Sequence, residues 1–383
     1  MPDSPKTHLT QANEILERVP LIDGHNDWPN FVYGYYSNKL DHRFEEQKDL
    51  AGHVDIKRLR KGKCGGVFWS AYVDCPSREN DFGDANHHEA IRETYQQIDL
   101  IHRLVELYSH SLELVSRASD IVDIFKRGKI ASMIGVEGLH QIGNQASNLR
   151  NYHRLGVKYV TLTHNSHNLY ADCAIKTSVH DGLSEEGKRM ILEMNRVGLL
   201  IDLSHASDLV ALQTMEITKA PVAFTHSSCA ALVPHPRCAN DASLEQLKEN
   251  RGIIMISFIP AHNNCDPSSA SISDVVDHIL HVADQIGFDH IGIGSDFDGM
   301  ERSVKGLEDV SKFPDLVACM LQRGIDHENI ELILCWNIVR VLKEVEYSAA
   351  RLASEPVLED EVKSLWNMEF KNMVGSLFPG TEN

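Results

Sequence analysis

Leu21-Ile22-Asp23-Gly24-His25-Asn26-Asp27 is the stretch from which the rest of this chain is read. Two apolar residues open a buried strand that runs toward Gly24. His25 and Asp27 are two residues apart, so in extended backbone both side chains point to the same side. A neutral imidazole beside a carboxylate suits a divalent metal, since both are zinc ligands. Taken alone, His-x-Asp reads more simply as a strand-end histidine bonded to an aspartate. The metal reading gains weight because apolar runs ending in His, Asp or Glu recur down the chain.

A second run, Gly66 to Val73, is rich in aromatic and β-branched residues. Ala131 to Val136 leads into Glu137, Tyr159 to Thr163 into His164, Gly198 to Leu203 into Ser204-His205, and Val222 to Thr225 into His226. Gly252 to Phe258 is the seventh run. His290 to Ser295 is the eighth and leads into Asp296-Phe297-Asp298-Gly299. Between the runs the spacing of apolar residues predicts helices, the clearest over 87–108, 208–218, 272–286, 313–323 and 327–346, with a leading helix over 8–18. Further helical stretches are expected over 54–60, over 118–127 and after Ser184, which is placed to cap one. Near-continuous apolar strands are what a parallel sheet covered on both faces requires. Eight strand–helix units in 383 residues point to an α/β fold of the (β/α)8 TIM-barrel type. Residues 1–383 are expected to form a single catalytic domain, with a leading helix and closing C-terminal helices. The rival, an open doubly wound sheet, is weakened because no strand is followed by a Gly-rich phosphate loop.

Composition narrows the function. With 37 Lys and Arg against 55 Asp and Glu, the net charge is −18, which argues against nucleic acid or an anionic membrane surface as partner. Eight cysteines are scattered without a Cys-x-x-Cys pair and fit free thiols in a reducing compartment. Pro2, Asp3, Pro5 and Lys6 stand where a signal peptide would need an apolar run. Phe378 to Asn383 has no lipid-anchor signal, and no stretch is apolar enough to span a membrane. The expectation is a soluble, cytoplasmic protein.

In barrels of this kind, sites are built at the C-terminal ends of the strands. Strand one places His25 and Asp27 there, the third Glu137, the fourth His164, the fifth His205, the sixth His226 and the eighth Asp296. Each has a plain alternative: a core histidine with satisfied nitrogens, or a carboxylate paired with lysine. Together they do not, because burying so many titratable groups without metal or mutual pairing costs several kcal/mol. Histidine and carboxylate without cysteine favour Zn, Mn, Fe or Co at a catalytic site. Four imidazoles and three carboxylates exceed one four-coordinate ion and fit two, with Glu137 on a middle strand placed to bridge them. Two such ions can hold a hydroxide as nucleophile at neutral pH.

These segments resemble the membrane (renal) dipeptidases, a metallo-dipeptidase family with an amidohydrolase-type barrel. The matching residues are Asp23-Gly24-His25-Asn26-Asp27, Gly65 to Ser70, Gly135-Val136-Glu137-Gly138, Leu162-Thr163-His164-Asn165, Asp202-Leu203-Ser204-His205, Thr225 to Ser228 and Gly294 to Gly299. They occur in family order over nearly the whole chain. The resemblance implies a binuclear zinc site, two Zn2+ per chain, in which His25 and Asp27 hold one ion, His205 and His226 the other, and Glu137 bridges. It implies that His164 contacts substrate and oxyanion, that Arg237 holds the substrate's terminal carboxylate, and that Asp296 is the acid/base. It further implies a dipeptide or similar small substrate and a homodimer. Two positions depart from the family pattern: Trp28 stands where leucine is expected, and Ile259 where a substrate-contacting tyrosine is common. Two rival functions follow from the same residues. One is cleavage of a Cys-Gly unit in a glutathione conjugate; the other is a metal-free scaffold.

Overall fold

The computed structural model describes residues 7–47 and 50–378. The polar lead (Pro2, Asp3, Pro5, Lys6) and the residues after Phe378 lie outside the described residues. Among the described residues nine strands form one parallel sheet: β1 Leu21–Asn26, β2 Cys64–Ala71, β3 Leu112–Leu114, β4 Ile130–Val136, β5 Val157–Thr161, β6 Leu200–Asp202, β7 Val222–Ser227, β8 Ile253–Ile256 and β9 Ile291–Ile293. The order is β2-β1-β9-β8-β7-β6-β5-β4-β3, and β2 also pairs with β4 along Gly66–Ala71 and Ala131–Val136. That pairing closes an eight-stranded barrel, and β3 is an appendage. It occupies the early part of β4, opposite Ile130 to Ser132, while β5 takes the later part. The eight expected strands are the eight of the barrel. β3 has three residues, of which only Leu112 is buried, too few to show a period.

Helices cover the outer face. The helix His8–Arg18 is capped by the Thr7 side chain and buries Ala12, Ile15 and Leu16. The helix Ile272–Ile286 carries a Ser271/Asp274 capping box and buries Val275, Val276, Ile279 and Val282. Two helices had no reading in the sequence. Ala146–Arg154 and Asp241–Asn250 are mostly polar and bury only a few apolar side chains each, Leu149 and Tyr152 in one and Leu244 and Leu247 in the other. They restore the strand–helix alternation. A third, Met368–Leu377, buries nothing, and a fourth, Pro260–Asn263, is a single turn after β8. Among the described residues no helix is long and apolar enough to cross a membrane.

Inside the barrel, backbone packs close to side chain. A Cβ on Gly294 would meet the Thr225 carbonyl at 1.8 Å, and one on Gly24 would meet Met255 Sδ at 2.4 Å. Two buried aspartates tie strands together. Asp23 on β1 accepts from Ser295 N (2.7 Å) and Ser295 Oγ (2.6 Å) just past β9. Asp202 on β6 accepts from Thr161 Oγ1 (2.7 Å) on β5 and from Thr225 N (2.9 Å) and Oγ1 (2.8 Å) on β7. Both aspartates are wholly buried, so removing either carboxylate strands several donors without water. Asp202→Ala is expected to destabilise the protein by about 3 kcal/mol, read as a lowered urea midpoint at unchanged slope. A midpoint equal to wild type would show that β5, β6 and β7 do not depend on this tie.

Candidate metal centre and substrate cleft

Every strand-end residue named from the sequence reaches the same end of the barrel. One oxygen, Glu137 Oε1, is the centre. It lies 3.5 Å from His25 Nε2, 3.1 Å from His205 Nε2 and 3.3 Å from His226 Nε2. His205 Nε2 and His226 Nε2 are 3.0 Å apart. His25 Nε2 is also 3.1 Å from Asp27 Oδ2 and 3.8 Å from Asp296 Oδ1. His164 completes a third group of potential ligand atoms with Glu137 and His205. All of these but His164 are buried.

The backbone turns sharply to aim these side chains. His205 and Asp296 adopt left-handed conformations, with φ of 65° and 62°. Outside glycine such conformations cost of order 1–3 kcal/mol and cluster at functional sites. Asp27 follows β1 directly, its N–H donating to the Phe297 carbonyl at 2.8 Å.

Each of the three histidines around Glu137 has an oxygen on its far nitrogen. His25 Nδ1 is 2.7 Å from Tyr159 Oη, His205 Nδ1 is 3.0 Å from Asn165 Oδ1, and His226 Nδ1 is 3.0 Å from Thr225 Oγ1. The Thr225 hydroxyl donates to Asp202, so toward His226 it accepts, and Asn165 Oδ1 can only accept. The proton therefore sits on Nδ1 of His205 and His226, and their Nε2 lone pairs face Glu137. This is the outer-shell arrangement that fixes metal-ligating histidines. Lone pairs and carboxylates facing one another at about 3 Å repel, so the cluster needs cations between them. Asp27 Oδ1 is buried without a hydrogen-bond partner, another donor atom awaiting a positive charge. The residues present thus fit a metal centre.

Electrostatics agree. Burial lowers the pKa of His205 and His226 far below the ordinary imidazole value, helped by the Arg237 charge, and keeps both neutral. Burial also lowers His25, but Glu137 and Asp27 more than offset it and raise the group to about 10. Glu137 is pushed well above the usual carboxylate range by burial, against the His25 charge. Asp296 is raised to about 7, chiefly by burial.

The centre opens into a cavity of about 520 Å3 whose wall includes Tyr72, His164, Ile175, His235, Arg237, Ile259 and His262. Arg237 is 7% exposed, has no carboxylate within 4 Å among the described residues, and leaves Nη1 unpaired. A buried unpaired guanidinium calls for an anion from outside. His164, held by burial at about 3, is neutral; its Nδ1 lies 3.7 Å from Cys75 Sγ and its ring meets Tyr72 edge-on at 4.8 Å.

The membrane dipeptidase family, peptidase family M19, matches residues 9–356. The chain belongs to that family. A dipeptidase of Claviceps purpurea, tcpJ, is 51% identical over 398 residues, covering 98% of this chain and 94% of that protein. The fold of the probable dipeptidase PvdM from Pseudomonas aeruginosa superposes with a TM-score of 0.81 at 21% identity, over 90% of this chain and 100% of that one. Dipeptidase AC, an M19 metallopeptidase, gives 0.76 at 25% identity, over 86% and 99%. The membrane dipeptidase barrel seen here is therefore that of a hydrolase acting on peptide bonds, and of a metallo-dipeptidase.

The sequence reading did not name Tyr159, Thr225 or Asn165 as partners of the histidines. Tyr159 and Thr225 lie within apolar strand runs and carry no signal apart from their polar atoms. Space for Tyr159 comes from Gly135, where a Cβ would fall 2.1 Å from Tyr159 Cζ. Tyr159→Phe is expected to weaken divalent-metal affinity about tenfold, measured by competition with a chromogenic chelator. Unchanged affinity would mean that the Tyr159 hydroxyl does not orient His25.

Proposed function

We propose that this metallo-dipeptidase works with two zinc ions, held by His25, Asp27, Glu137, His205 and His226, with Glu137 shared between them. The convergence of three imidazole nitrogens on one oxygen of Glu137 carries the reading. A donor set of histidine and carboxylate without cysteine supports zinc over softer metals. Ions bound there would supply Lewis acidity and lower the pKa of a water toward neutrality.

The remaining roles fall to the chain's own residues. Arg237 binds the substrate's terminal carboxylate with its planar fork, which fixes the scissile bond against the centre. His164, neutral and on the same wall, donates an N–H to the carbonyl oxygen as negative charge develops there. Asp296 takes the proton of the attacking water on Oδ1 and delivers it to the leaving amine. The cavity, at about 520 Å3, is of a size for a small peptide-like substrate. Residues 1–383 act as one catalytic unit in this reading, and the eight unpaired cysteines support a reducing, cytoplasmic setting.

Asp296→Asn keeps the side chain's shape and removes its basicity. The variant is expected to retain its metal by elemental analysis and to lose about a hundredfold or more in kcat on dipeptides. Near wild-type turnover would remove Asp296 from the mechanism; loss of the metal along with activity would make it a ligand instead.

A further inference from the structure

Arg237 does not stand alone on the cavity wall. Its backbone N–H donates to His235 Nδ1 at 3.1 Å, and the rings of His235 and His262 lie 4.7 Å apart. All three side chains line the cavity. His262 is 5% exposed and its Nδ1 is enclosed with no partner. Its Nε2 has no partner among the described residues either. The backbone that carries the ring is firmly placed: His262 N donates to the Ile259 carbonyl at 3.0 Å, and the His262 carbonyl receives Cys238 Sγ at 3.7 Å. The neighbouring Asn263 amide holds the Ser257 and Ile259 carbonyls, each at 2.8 Å.

A buried imidazole with no acceptor beside one nitrogen leaves that nitrogen unprotonated, because an orphaned N–H costs more than a bare lone pair. For His262 this puts the proton on Nε2. Burial and the Arg237 charge keep the ring neutral, so it offers one donor and does not add a second buried cation. A carboxylate has about four acceptor sites, and a bidentate arginine fills only two. A second donor on the same wall would fill one of the others, and the Ile259 side chain there has none to give.

The geometry points to His262 as a second anchor for the substrate's terminal carboxylate, donating from Nε2 beside the Arg237 fork. This rests on the reading in which Arg237 takes that carboxylate. His262 is then a specificity residue: it selects substrates that end in a free carboxylate and has no part in bond cleavage.

The test uses the full-length, zinc-loaded enzyme with alanyl-alanine and alanyl-alaninamide. His262→Phe keeps a ring against His235 and removes both nitrogens; His262→Gln keeps an N–H donor. His262→Phe is expected to raise KM for the acid about tenfold or more, with kcat within about twofold of wild type. It should leave kcat/KM for the amide unchanged, and His262→Gln should recover part of the loss. Matching urea midpoints for the three proteins would confirm intact folding. Equal losses on acid and amide, or no loss on either, would overturn the role of His262 while leaving Arg237 in place. A wild-type enzyme that cleaves acid and amide equally would overturn the carboxylate reading of Arg237 and this inference with it.

Discussion

The constraint on which this structure depends is the crowding of electron pairs around Glu137 Oε1. Three imidazole nitrogens lie within 3.1–3.5 Å of it, and Asp27 and Asp296 approach one of them, His25 Nε2, at 3.1 and 3.8 Å. In a buried site this arrangement is unfavourable without positive charge. It persists only because the surrounding barrel over-determines it. Asp202 orients Thr225, Thr225 fixes His226, and the same aspartate ties β5, β6 and β7 into one block. Asp23 does the same between β1 and the turn that carries Asp296. The left-handed backbone at His205 and Asp296 adds strain that the loops alone would release. Scaffold and site are therefore one network: the strands hold the ligands, and bound cations would relieve the repulsion the strands impose.

The barrel was legible because parallel strands are buried on both faces and so read as apolar runs, each ending at a conspicuous polar residue. His25, Asp27, Glu137, His164, His205, His226 and Asp296 could be picked out for that reason, and the structure brings them to one end of the barrel. What the sequence concealed has physical causes. β3 is three residues long. The helices Ala146–Arg154 and Asp241–Asn250 are short and mostly polar, so few apolar residues mark them in the sequence. Tyr159 and Thr225 are hidden in strand runs where aromatic and β-branched residues are expected for packing alone. His262 was passed over because it ends no strand; its short helix, Pro260–Asn263, follows β8 and brings it back to the wall that Arg237 shares. Sequence pattern marks where a strand stops, but not how the chain after it folds back.

The cleft divides its work between two charges. The acidic centre favours cations and polarises what lies next to them. Arg237, buried and without a carboxylate within 4 Å among the described residues, favours an anionic group. In the proposed reading a dipeptide offers a carbonyl to the first and a carboxylate to the second. The wall between and around them is mixed, with Tyr72, Ile175 and Ile259 beside the histidines. Trp28 and Ile259, the two departures from the family pattern, fall on different sides of this division. Trp28 is 1% exposed and packs on Phe44 and Trp69, so it serves the core, whereas Ile259 lines the cavity.

The most direct test of the account is the number of metal ions per chain in wild-type protein and in Glu137→Gln, counted by elemental analysis after reconstitution with zinc and removal of excess. Two ions in the wild type, falling to one or fewer in the variant, are predicted if Glu137 is shared between two metals. A wild type that takes up a single ion, or a variant that keeps both, would contradict the bridged centre.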